Sequence, residues 1–393
     1  MAKFDFNDSR YAKFFSDKQN TNFLQTFLKQ EGILYTNYGW WKTQCNIDPM
    51  ATPTAPDGSA TFTQKARKLE AAPMLDLRAP MGKGRSGDKS GFDFYTASIP
   101  DFISEEDIET APEREYKENM FTQFGNDADI VAAWVSKIQD KVNGADATMN
   151  FMTAKIMSTG LIDYTGIGRG IQLPLHEANI PAENKVKAGA YIWEDTANCK
   201  ILTQMHIIEE NFRDKWGYSG ALTWKLPRDM YYNVFLANSE VKELVKSYRT
   251  LNYIASTDAM KVTDQEFQQA FVDYQGVSPI EIVVEKERNR TNTGDAMVHG
   301  WEQGTAVLCP AGFVCDVKHA IPLDQPMYQK YGNNIISKVF AQVNNGLYNI
   351  INTTIPNGEL LEWHSVLTTS AVPALNEFPF HVLVDTKTAG AIA

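Results

Sequence analysis

The clearest pattern along the chain is a row of apolar residues, three and four positions apart, between Asn126 and Ile156. Such spacing places one apolar stripe on a single α-helix. Asn126 and Asp127 are cap-forming residues at its start, and Gly160 favours an end just after it. The predicted helix has about 31 residues and a length of about 46 Å, so it is either a long core helix or the backbone helix of a flat, elongated subunit. Any kink is expected at Gly144, which is a poor helix former. The stripe consists of Ile130, Trp134, Ile138, Val142, Ala145, Met149, Met152 and Ile156.

Residues 1–60 have the pattern of an extended arm rather than of a domain. An amphipathic helix is predicted at Asn22–Glu31, and the polar, proline-rich segment Pro49–Ser59 ends the arm. Between them lies an aromatic patch that is too large for so short a segment to bury by itself. We expect this patch to pack either on the rest of its own chain or on a neighbouring chain. It contains Tyr35, Tyr38, Trp40 and Trp41.

Residues 61–100 are predicted to form a long β-hairpin with arms at Ala72–Pro80 and Phe92–Ile99. The sequence between the arms, MGKGRSGDKSG, has the glycines that a turn requires. It is also basic, but it lacks the strand–loop–helix setting and the GKS/T ending of a phosphate-binding P-loop. Because an isolated two-stranded ribbon is only marginally stable in water, we expect the hairpin to rest on another subunit. The predicted contact residues at its tip are Lys83, Gly84, Arg85 and Lys89.

The charge changes sign between Asp101 and Glu118, where acidic residues outnumber basic ones. Ser104 and Asp107 approximate a capping box and predict a short helix. An acidic run is commonly just a solvated face, but this one directly follows the basic hairpin. We therefore predict that it pairs with the hairpin of a neighbouring copy. The predicted acidic contact residues are Glu105, Glu106, Asp107 and Glu109.

The middle of the chain alternates predicted helices and short strands, which indicates a compact α/β lobe. Helices are predicted at 196–216, at 239–249 and at 263–275, and the last begins with a capping box formed by Thr263 and Glu266. Strands are predicted at Pro279–Glu285 and at Thr305–Cys309, with a turn at 310–312.

The glycine-rich sequence GIGRG at 166–170 is a weak candidate for a dinucleotide-binding loop. That motif must open a helix, whereas the residues after it alternate like a strand and include Pro174. We therefore interpret it as a turn between two strands.

The region from Tyr331 to the C-terminus is poor in charge, and its apolar residues predict one buried helix and one buried strand. Residues between Ile336 and Ile351 recur in steps of one, three and four, which favours the helix. The run Phe378–Val384 is predicted to be a strand that returns to the main sheet.

Composition places few limits on function. The chain has 393 residues, of which 43% are hydrophobic and 22% charged, as in ordinary folded proteins. No apolar run is long enough to span a membrane and no signal-peptide core is present, so we expect cytosolic synthesis. A net charge of −11 argues against a protein that reads nucleic acid, although not against one that surrounds it.

Candidate chemistry is sparse, and we predict no catalytic, metal or cofactor site. His206 with Glu209 or Glu210 gives one helical turn of a metal site, but no second histidine completes an HExxH motif. No GxSxG elbow or Walker sequence occurs. The cysteines are too scattered for a disulfide framework and are expected to be buried as small hydrophobic residues. They are Cys45, Cys199, Cys309 and Cys315.

The order of the parts is more informative than any one motif. It runs from aromatic arm to basic hairpin, acidic link, long helix, α/β lobe and apolar C-terminal region. The motifs are Ala72-Pro73 with the hairpin up to Ser98-Ile99-Pro100, the helix ending Met157-Ser158-Thr159-Gly160, the segment Val307–Gly312 and the terminal strand Phe378–Asp385. In this order, and over most of the chain, the sequence resembles the major capsid proteins of tailed bacteriophages, which have the Hong Kong 97-type fold, and most closely their lambda-like family.

The resemblance implies an α+β fold of the Hong Kong 97 type. Its parts are an N-terminal arm, an extended β-hairpin loop, a peripheral domain with a long spine helix, and an axial α/β domain. The implied boundaries are 1–60 for the arm, 61–100 for the loop, 101–195 for the peripheral domain with the spine helix at 126–158, 196–330 for the axial domain with connecting strands, and 331–393 for a C-terminal helix and strand.

The resemblance also implies a structural viral protein rather than an enzyme. Such a protein self-assembles through hexamers and pentamers into the icosahedral shell of a virion, around double-stranded DNA that it contacts without sequence specificity. Portal, scaffold or decoration proteins are implied partners, no membrane is involved, and assembly takes place in the host cytoplasm. The alternatives are an encapsulin-like bacterial compartment, a tail-tube or portal protein, and a carbohydrate-active or sugar-binding protein that uses the aromatic residues.

Overall fold

Two β-sheets, one long helix and a set of shorter helices make up the part of the chain that the structure describes. The structure is a computed structural model. It describes residues 39–55, 59–67, 91–110, 112–113, 115–116, 119, 127–164, 174–251, 261–274, 276–284, 287–291, 294–322, 337–343, 347–357 and 360–390. The described elements form an α+β fold, as predicted.

The long predicted helix is confirmed as α2, Asp127–Thr159, and it runs through Gly144 without a break. Its stripe residues from Val142 to Ile156 are buried in a core. Gly160 ends the helix with a left-handed φ of 72°, where a side chain would also collide with Ile180. The side chains of three further stripe residues lie outside the described part, so their burial stays a prediction. These are Ile130, Trp134 and Ile138.

The first sheet packs on α2 and has seven strands. Its longest strand is β17, Leu360–Leu375. This strand forms antiparallel pairs with β14 (Cys315–Ala320), β16 (Tyr348–Asn357), β4 (Asp101–Ile103) and β5 (Asp107–Thr110). The short strand β1 joins the edge in parallel with β14. The strands are β1 Cys45–Ile47, β4 Asp101–Ile103, β5 Asp107–Thr110, β14 Cys315–Ala320, β15 Ser337–Val343, β16 Tyr348–Asn357 and β17 Leu360–Leu375.

The predicted helix between Ile336 and Ile351 is wrong, because this region forms the antiparallel hairpin β15–β16. Its β-branched residues favour strands, and Asn345-Gly346 between the strands is a strong hairpin signal in the sequence. Spacing alone did not distinguish the two structures, since steps of one and four also fit strands. The long strand β17 supplies the partner that decides the outcome.

The second sheet has five strands in the order β10–β9–β13–β18–β8 and carries three helices. The strands are β8 Lys185–Ala188, β9 Leu222–Pro227, β10 Ile280–Val283, β13 Thr305–Pro310 and β18 Val382–Ala389. The helices are α3 Ile201–Trp216, α4 Ser239–Leu251 and α5 Asp264–Tyr274. Three two-stranded ribbons are also described, pairing β2 Thr61–Arg67 with β3 Phe92–Ser98, β6 Leu161–Ile162 with β7 His176–Glu177, and β11 Glu287–Thr291 with β12 Gly294–Val298.

Most predicted helices and strands of the second lobe, which consists of the second sheet and helices α3, α4 and α5, are confirmed. The capping box at the start of α5 forms as expected: the Glu266 backbone N–H donates to Thr263 Oγ1 at 3.3 Å, and the Thr263 backbone N–H donates to Glu266 Oε2 at 3.2 Å. Helix α3 begins at Ile201, five residues after the predicted start. The C-terminal strand begins at Val382, after a short 3₁₀ turn at Phe378–Phe380.

Strand β13 of the second sheet is buried on both faces. Along β13, Val307 and Cys309 belong to the core around α2, whereas Ala306 and Leu308 belong to the core under α3 and α4. Successive side chains of a strand point to opposite faces, so this one strand contributes to both cores. That placement explains why the TAVLC sequence is apolar without alternation.

Part of the predicted N-terminal arm is integrated into the fold. Trp40 and Trp41 lie in the short helix α1, Trp40–Gln44, and are buried in the core of their own chain. Trp40 packs edge-on against Trp301 with 6.5 Å between ring centroids. The intrachain alternative is therefore correct for these two tryptophans. Tyr35, Tyr38 and the predicted helix at 22–31 lie outside the described residues.

Buried polar groups on α2 form hydrogen bonds with helix α1. Asp146 accepts hydrogen bonds from Trp41 Nε1 at 3.1 Å, from Lys42 Nζ at 2.7 Å and from the Tyr348 hydroxyl at 2.6 Å. One turn further along, Asn150 Oδ1 accepts the backbone N–H of Trp41 at 2.9 Å. The helix thus binds an N-terminal segment and a C-terminal strand through one carboxylate.

The same segment also contacts the second sheet. Lys225 of β9 is buried, and its Nζ donates to Gln44 Oε1 at 2.6 Å and forms an ion pair with Glu281 of β10. Gln44 Nε2 donates to the other Glu281 carboxylate oxygen at 2.6 Å. Helix α1 is therefore hydrogen-bonded to both α2 and the second sheet.

Replacement of Asp146 by alanine should lower the free energy of unfolding by about 2–4 kcal/mol, because it leaves buried Trp41 and Tyr348 donors without an acceptor. The matched control is Asp140→Ala on the exposed side of the same helix, which should change stability by no more than about 0.5 kcal/mol. Urea unfolding followed by circular dichroism measures both. Equal effects of the two substitutions would contradict the role assigned to Asp146.

Candidate assembly surface

The predicted β-hairpin is confirmed, but its first arm was placed wrongly. The strand that pairs with Phe92–Ser98 is Thr61–Arg67, in a register that joins Thr61 to Ser98 and Arg67 to Phe92. The predicted first arm, Ala72–Pro80, lies outside the described residues. The actual arm has little apolar character, with Phe62 as its one large apolar residue. Its alternation of buried and exposed positions comes from packing that the sequence does not display.

The inner face of the hairpin is anchored to its own chain by aromatic rings. Tyr95 packs against Phe378 with 5.1 Å between ring centroids, and its hydroxyl donates to the Leu375 carbonyl at 3.3 Å. Phe62 and Tyr95 lie 5.6 Å and 5.5 Å from the ring of His176 in β7. These contacts fix where the hairpin leaves the fold.

His176 is an unusual member of this cluster. Its side chain is 1% exposed, and neither ring nitrogen has a hydrogen-bond partner in the part of the chain that the structure describes. Burial lowers the pKa of His176 from 6.5 to about 4. Burial also raises the pKa of the neighbouring Tyr95, so both groups are neutral at pH 7. No sequence signal distinguished this histidine from the others.

Within the described part of the chain, the outer face of the hairpin is exposed. Phe92 and Phe94 are 47% and 56% exposed, and the Lys65 ammonium lies over the Phe92 ring, 3.7 Å from its centroid. Nearby on the same face, the hydroxyls of Thr63 and Thr96 lie 2.9 Å apart. Two phenylalanines on the exposed side of a projecting ribbon form an apolar surface that its own described residues leave open.

The basic tip of the hairpin falls outside the described part of the chain. This applies to Lys83, Gly84, Arg85 and Lys89, so their predicted contact with a second subunit stays a prediction.

The acidic segment after the hairpin forms strands, not the helix predicted at Ser104. β4 and β5 both pair with β17, and Ser104 lies between them. The Ser104 hydroxyl accepts the backbone N–H of Leu367 at 3.0 Å instead of capping a helix. Because the segment pairs with β17, its backbone N–H and C=O groups are hydrogen-bonded in strands rather than in a capped helix. The first described helical residue after it is residue 112.

The four predicted acidic contact residues lie together at this edge. Asp107 forms an ion pair with Lys141 of α2 at 3.0 Å, and Glu106 Oε1 lies 2.7 Å from His364 Nδ1. Glu109 is opposite Trp363 in the strand register. Glu105 is exposed. The local fold therefore holds this acidic surface in place.

A groove of about 490 Å³ separates this acidic edge from α2. Glu105 and Asp107 line one wall, and Asp140 and Lys141 line the other. The apolar side chain of Ile103, which is 71% exposed, lies at its mouth. Three carboxylates against one ammonium make the groove acidic, as a binding site for a basic segment requires.

The candidate metal ligands of the sequence are not brought together in the described structure. Among them, no three potential ligands converge on a metal position. His206 Nδ1 lies 2.8 Å from the Gly276 carbonyl, whereas Glu209 accepts hydrogen bonds from Trp224 and Ser278. The two side chains thus have separate partners.

Most of the tryptophans in the described part of the chain are buried, so they do not line an open groove for a sugar. Tryptophans are prominent in the two cores, where they are 8% exposed or less. The buried ones are Trp40, Trp41, Trp193, Trp216, Trp224 and Trp301.

The segment that contains GIGRG lies outside the described residues, but its flanks are informative. Leu161–Ile162 before it pairs antiparallel with His176–Glu177 after it. The chain therefore reverses between two strands, whereas a dinucleotide-binding loop would lead into a helix. In the described part of the chain, no helix combines the length and the apolar character that a membrane crossing requires.

Comparison with known proteins returns capsid structures. No family model and no curated protein matches the chain. A protein described as a prophage capsid protein from E. coli CFT073 has a TM-score of 0.45 and 11% identity, covering 93% of this chain and 98% of that chain. A phage-related protein from Bordetella bronchiseptica RB50 has a TM-score of 0.45 and 13% identity, covering 93% and 96%. The mature capsid of bacteriophage PhiM1 has a TM-score of 0.41 and 10% identity, covering 86% and 87%. Such identities and TM-scores do not by themselves assign a function.

Acid should weaken the anchor of the hairpin through His176. The unfolded chain binds a proton at this histidine below pH 6.5, whereas the folded chain resists it until about pH 4. This contribution is therefore fully present above pH 6.5, and about 3 kcal/mol is lost as the pH falls to 4. His176→Leu should reduce the loss of stability between pH 6.5 and 4, as measured by urea unfolding. His381, whose pKa burial also lowers to about 4, remains in the variant and keeps part of the slope. An unchanged slope would rule out the role of His176.

Proposed function

We propose that this chain is the major capsid protein of a tailed bacteriophage, and that its activity is self-assembly into a closed icosahedral shell around double-stranded DNA. The observation that carries the proposal is the hairpin, which is anchored firmly on one face and leaves Phe92 and Phe94 open on the other. A second copy of the chain would cover that face. The order of sequence motifs supports the same conclusion.

The long helix α2 and strand β13, which is buried on both faces, provide a second argument for this proposal. A shell subunit must transmit contacts between distant neighbours without deforming. α2 spans 33 residues, and β13 contributes side chains to both cores. Close-packed cores transmit strain rather than absorb it.

We assign the parts of the chain accordingly. Residues 61–100 are the extended loop, 101–195 the peripheral domain with its spine helix, and 196–330 the axial domain. Copies associate as hexamers and pentamers in the virion capsid, which forms in the host cytoplasm. Portal, scaffold and decoration proteins are the expected further partners.

The proposed contact joins the basic hairpin tip of one copy to the acidic groove of another. Lys83, Arg85 and Lys89 would supply the positive charge, and the Glu105–Glu109 edge beside α2 would receive it. Complementary charges of this kind set the register of an interface more than its affinity. The phenylalanines on the outer face of the hairpin would supply the apolar part of the contact.

The decisive experiment is negative-stain microscopy of the purified protein, together with sedimentation velocity. We expect closed particles or ring-shaped capsomers. A protein that remains monomeric at every concentration, as an ordinary soluble enzyme or sugar-binding protein can, would contradict the proposal. Particles that package DNA when produced during infection would distinguish a virion shell from an encapsulin-like compartment.

Reversal of the tip charges should block assembly and leave the subunit folded. The variant is Lys83→Glu with Arg85→Glu, and the expected result is loss of particles at an unchanged melting temperature. The matched control reverses two exposed lysines of the second lobe, Lys185→Glu with Lys200→Glu, and should still assemble.

A charge swap tests the partner surface. Adding Glu105→Lys and Glu106→Lys to the tip variant should restore particles, because the opposite charges then face each other again. Normal particles from the tip variant alone would reject the pairing but leave the capsid assignment standing.

A further inference from the structure

Two cysteines occupy neighbouring positions on paired strands. Cys45 of β1 is directly opposite Cys315 of β14 in a parallel register. Neighbouring strands lie about 4.8 Å apart, which is inside the range of about 4.4–6.8 Å between Cα atoms that a disulfide requires. No local pattern predicts this proximity, because 269 other residues separate the two positions.

The two thiols already interact. The Cys45 side chain is close enough to help raise the pKa of the Cys315 thiol, and Cys45 Sγ lies 3.5 Å from Thr153 Oγ1 of α2. Both cysteines are buried, with exposures of 4% and 0%. All four cysteines of the chain are free thiols.

The other two cysteines lie on different elements, although Cys309 shares the core around α2 with Cys45 and Cys315. Cys309 lies on the second sheet, where its thiol donates to the Thr223 carbonyl at 3.7 Å. Cys199 precedes α3 in the second core. Neither of them is in strand register with another cysteine.

We infer that Cys45 and Cys315 form a disulfide bond when the protein moves from reducing to oxidising surroundings. With a small-molecule disulfide as the oxidant, one cysteine thiolate attacks it and forms a mixed disulfide, releasing one thiol. The second cysteine then attacks the protein sulfur of the mixed disulfide and releases a second thiol. Two cysteine thiols are oxidised, and one small-molecule disulfide is reduced to two thiols.

The bond would fasten a weak point of the fold. β1 has three residues, and within the described strands it pairs only with β14, at the edge of the sheet. It follows α1 directly, so the link would secure the segment that joins α2 to the second sheet. A cross-link that closes so long a loop also restricts the unfolded chain strongly.

Burial sets the rate of this reaction in both directions. It raises the pKa of the Cys315 thiol well above the usual value, so little thiolate is present while β1 is paired. Exchange therefore waits for β1 to separate from β14. Once the bond has formed, the same burial keeps reductants away. The disulfide should form slowly and persist.

The test is peptide mapping of the full-length native protein after incubation with glutathione disulfide. Samples are taken over time, unfolded in excess N-ethylmaleimide and digested without reduction. The expected product is a peptide pair that joins Cys45 to Cys315, with Cys199 and Cys309 recovered as alkylated thiols. The oxidised protein should have a higher melting temperature than the reduced protein. Dithiothreitol should reduce the disulfide more slowly in the native protein than in the protein unfolded with urea.

Two outcomes would overturn the inference. One is that Cys45 and Cys315 of the native protein are recovered fully alkylated after incubation with glutathione disulfide. The control for this outcome is the urea-unfolded protein, whose thiols the same buffer must oxidise completely. The other is a link that involves Cys199 or Cys309. The matched variants are Cys45→Ala, which should lose the rise in melting temperature, and Cys199→Ala, which should keep it. The wild-type mapping decides the question even if Cys45→Ala does not fold. Because the readout does not depend on particle formation, it is independent of the capsid proposal.

Discussion

A buried carboxylate joins three distant parts of this chain. Removing a charge from water is costly, and Asp146 offsets that cost with donors from Trp41, Lys42 and Tyr348. Those donors belong to the helix α1 near the start of the described fold and to strand β16, so the long helix that carries Asp146 binds two segments that lie far apart in the sequence. Separating any one of the three would leave a buried polar group without a partner. The helix is therefore held in place by specific polar contacts as well as by its apolar stripe.

The second sheet extends this arrangement into a rigid body. Its strand β13 alternates between the two cores, and buried Lys225 connects the sheet to helix α1 through Gln44 and Glu281. Because β13 contributes side chains to both cores, a displacement of this strand must disturb the packing of both cores. For a subunit proposed to sit in a closed shell, such rigidity keeps the angles between neighbouring copies defined.

The hairpin combines a fixed base with an open outer face. Tyr95 and Phe62 hold its inner side against the core, and His176 packs against both rings with no hydrogen-bond partner among the described residues. Phe92 and Phe94 remain exposed on the other side. The described part of the chain thus sets the position of the hairpin, and the proposed shell would cover its outer face with a second copy.

Elements whose signals are local can be predicted from the amino-acid order alone. The stripe of α2, the capping box of α5 and the buried face of α3 all depend on residues within one helix, three or four positions apart. Tertiary structure decided the rest. The hairpin β15–β16 was mistaken for a helix, the acidic strands β4 and β5 for a capped helix, and the first arm of the β2–β3 hairpin was misplaced. In each case a strand needs a partner from elsewhere in the chain, and here β17 or β3 supplied it. The acidic groove and the Cys45–Cys315 pair likewise bring together residues more than 30 positions apart, and no local pattern encodes that proximity.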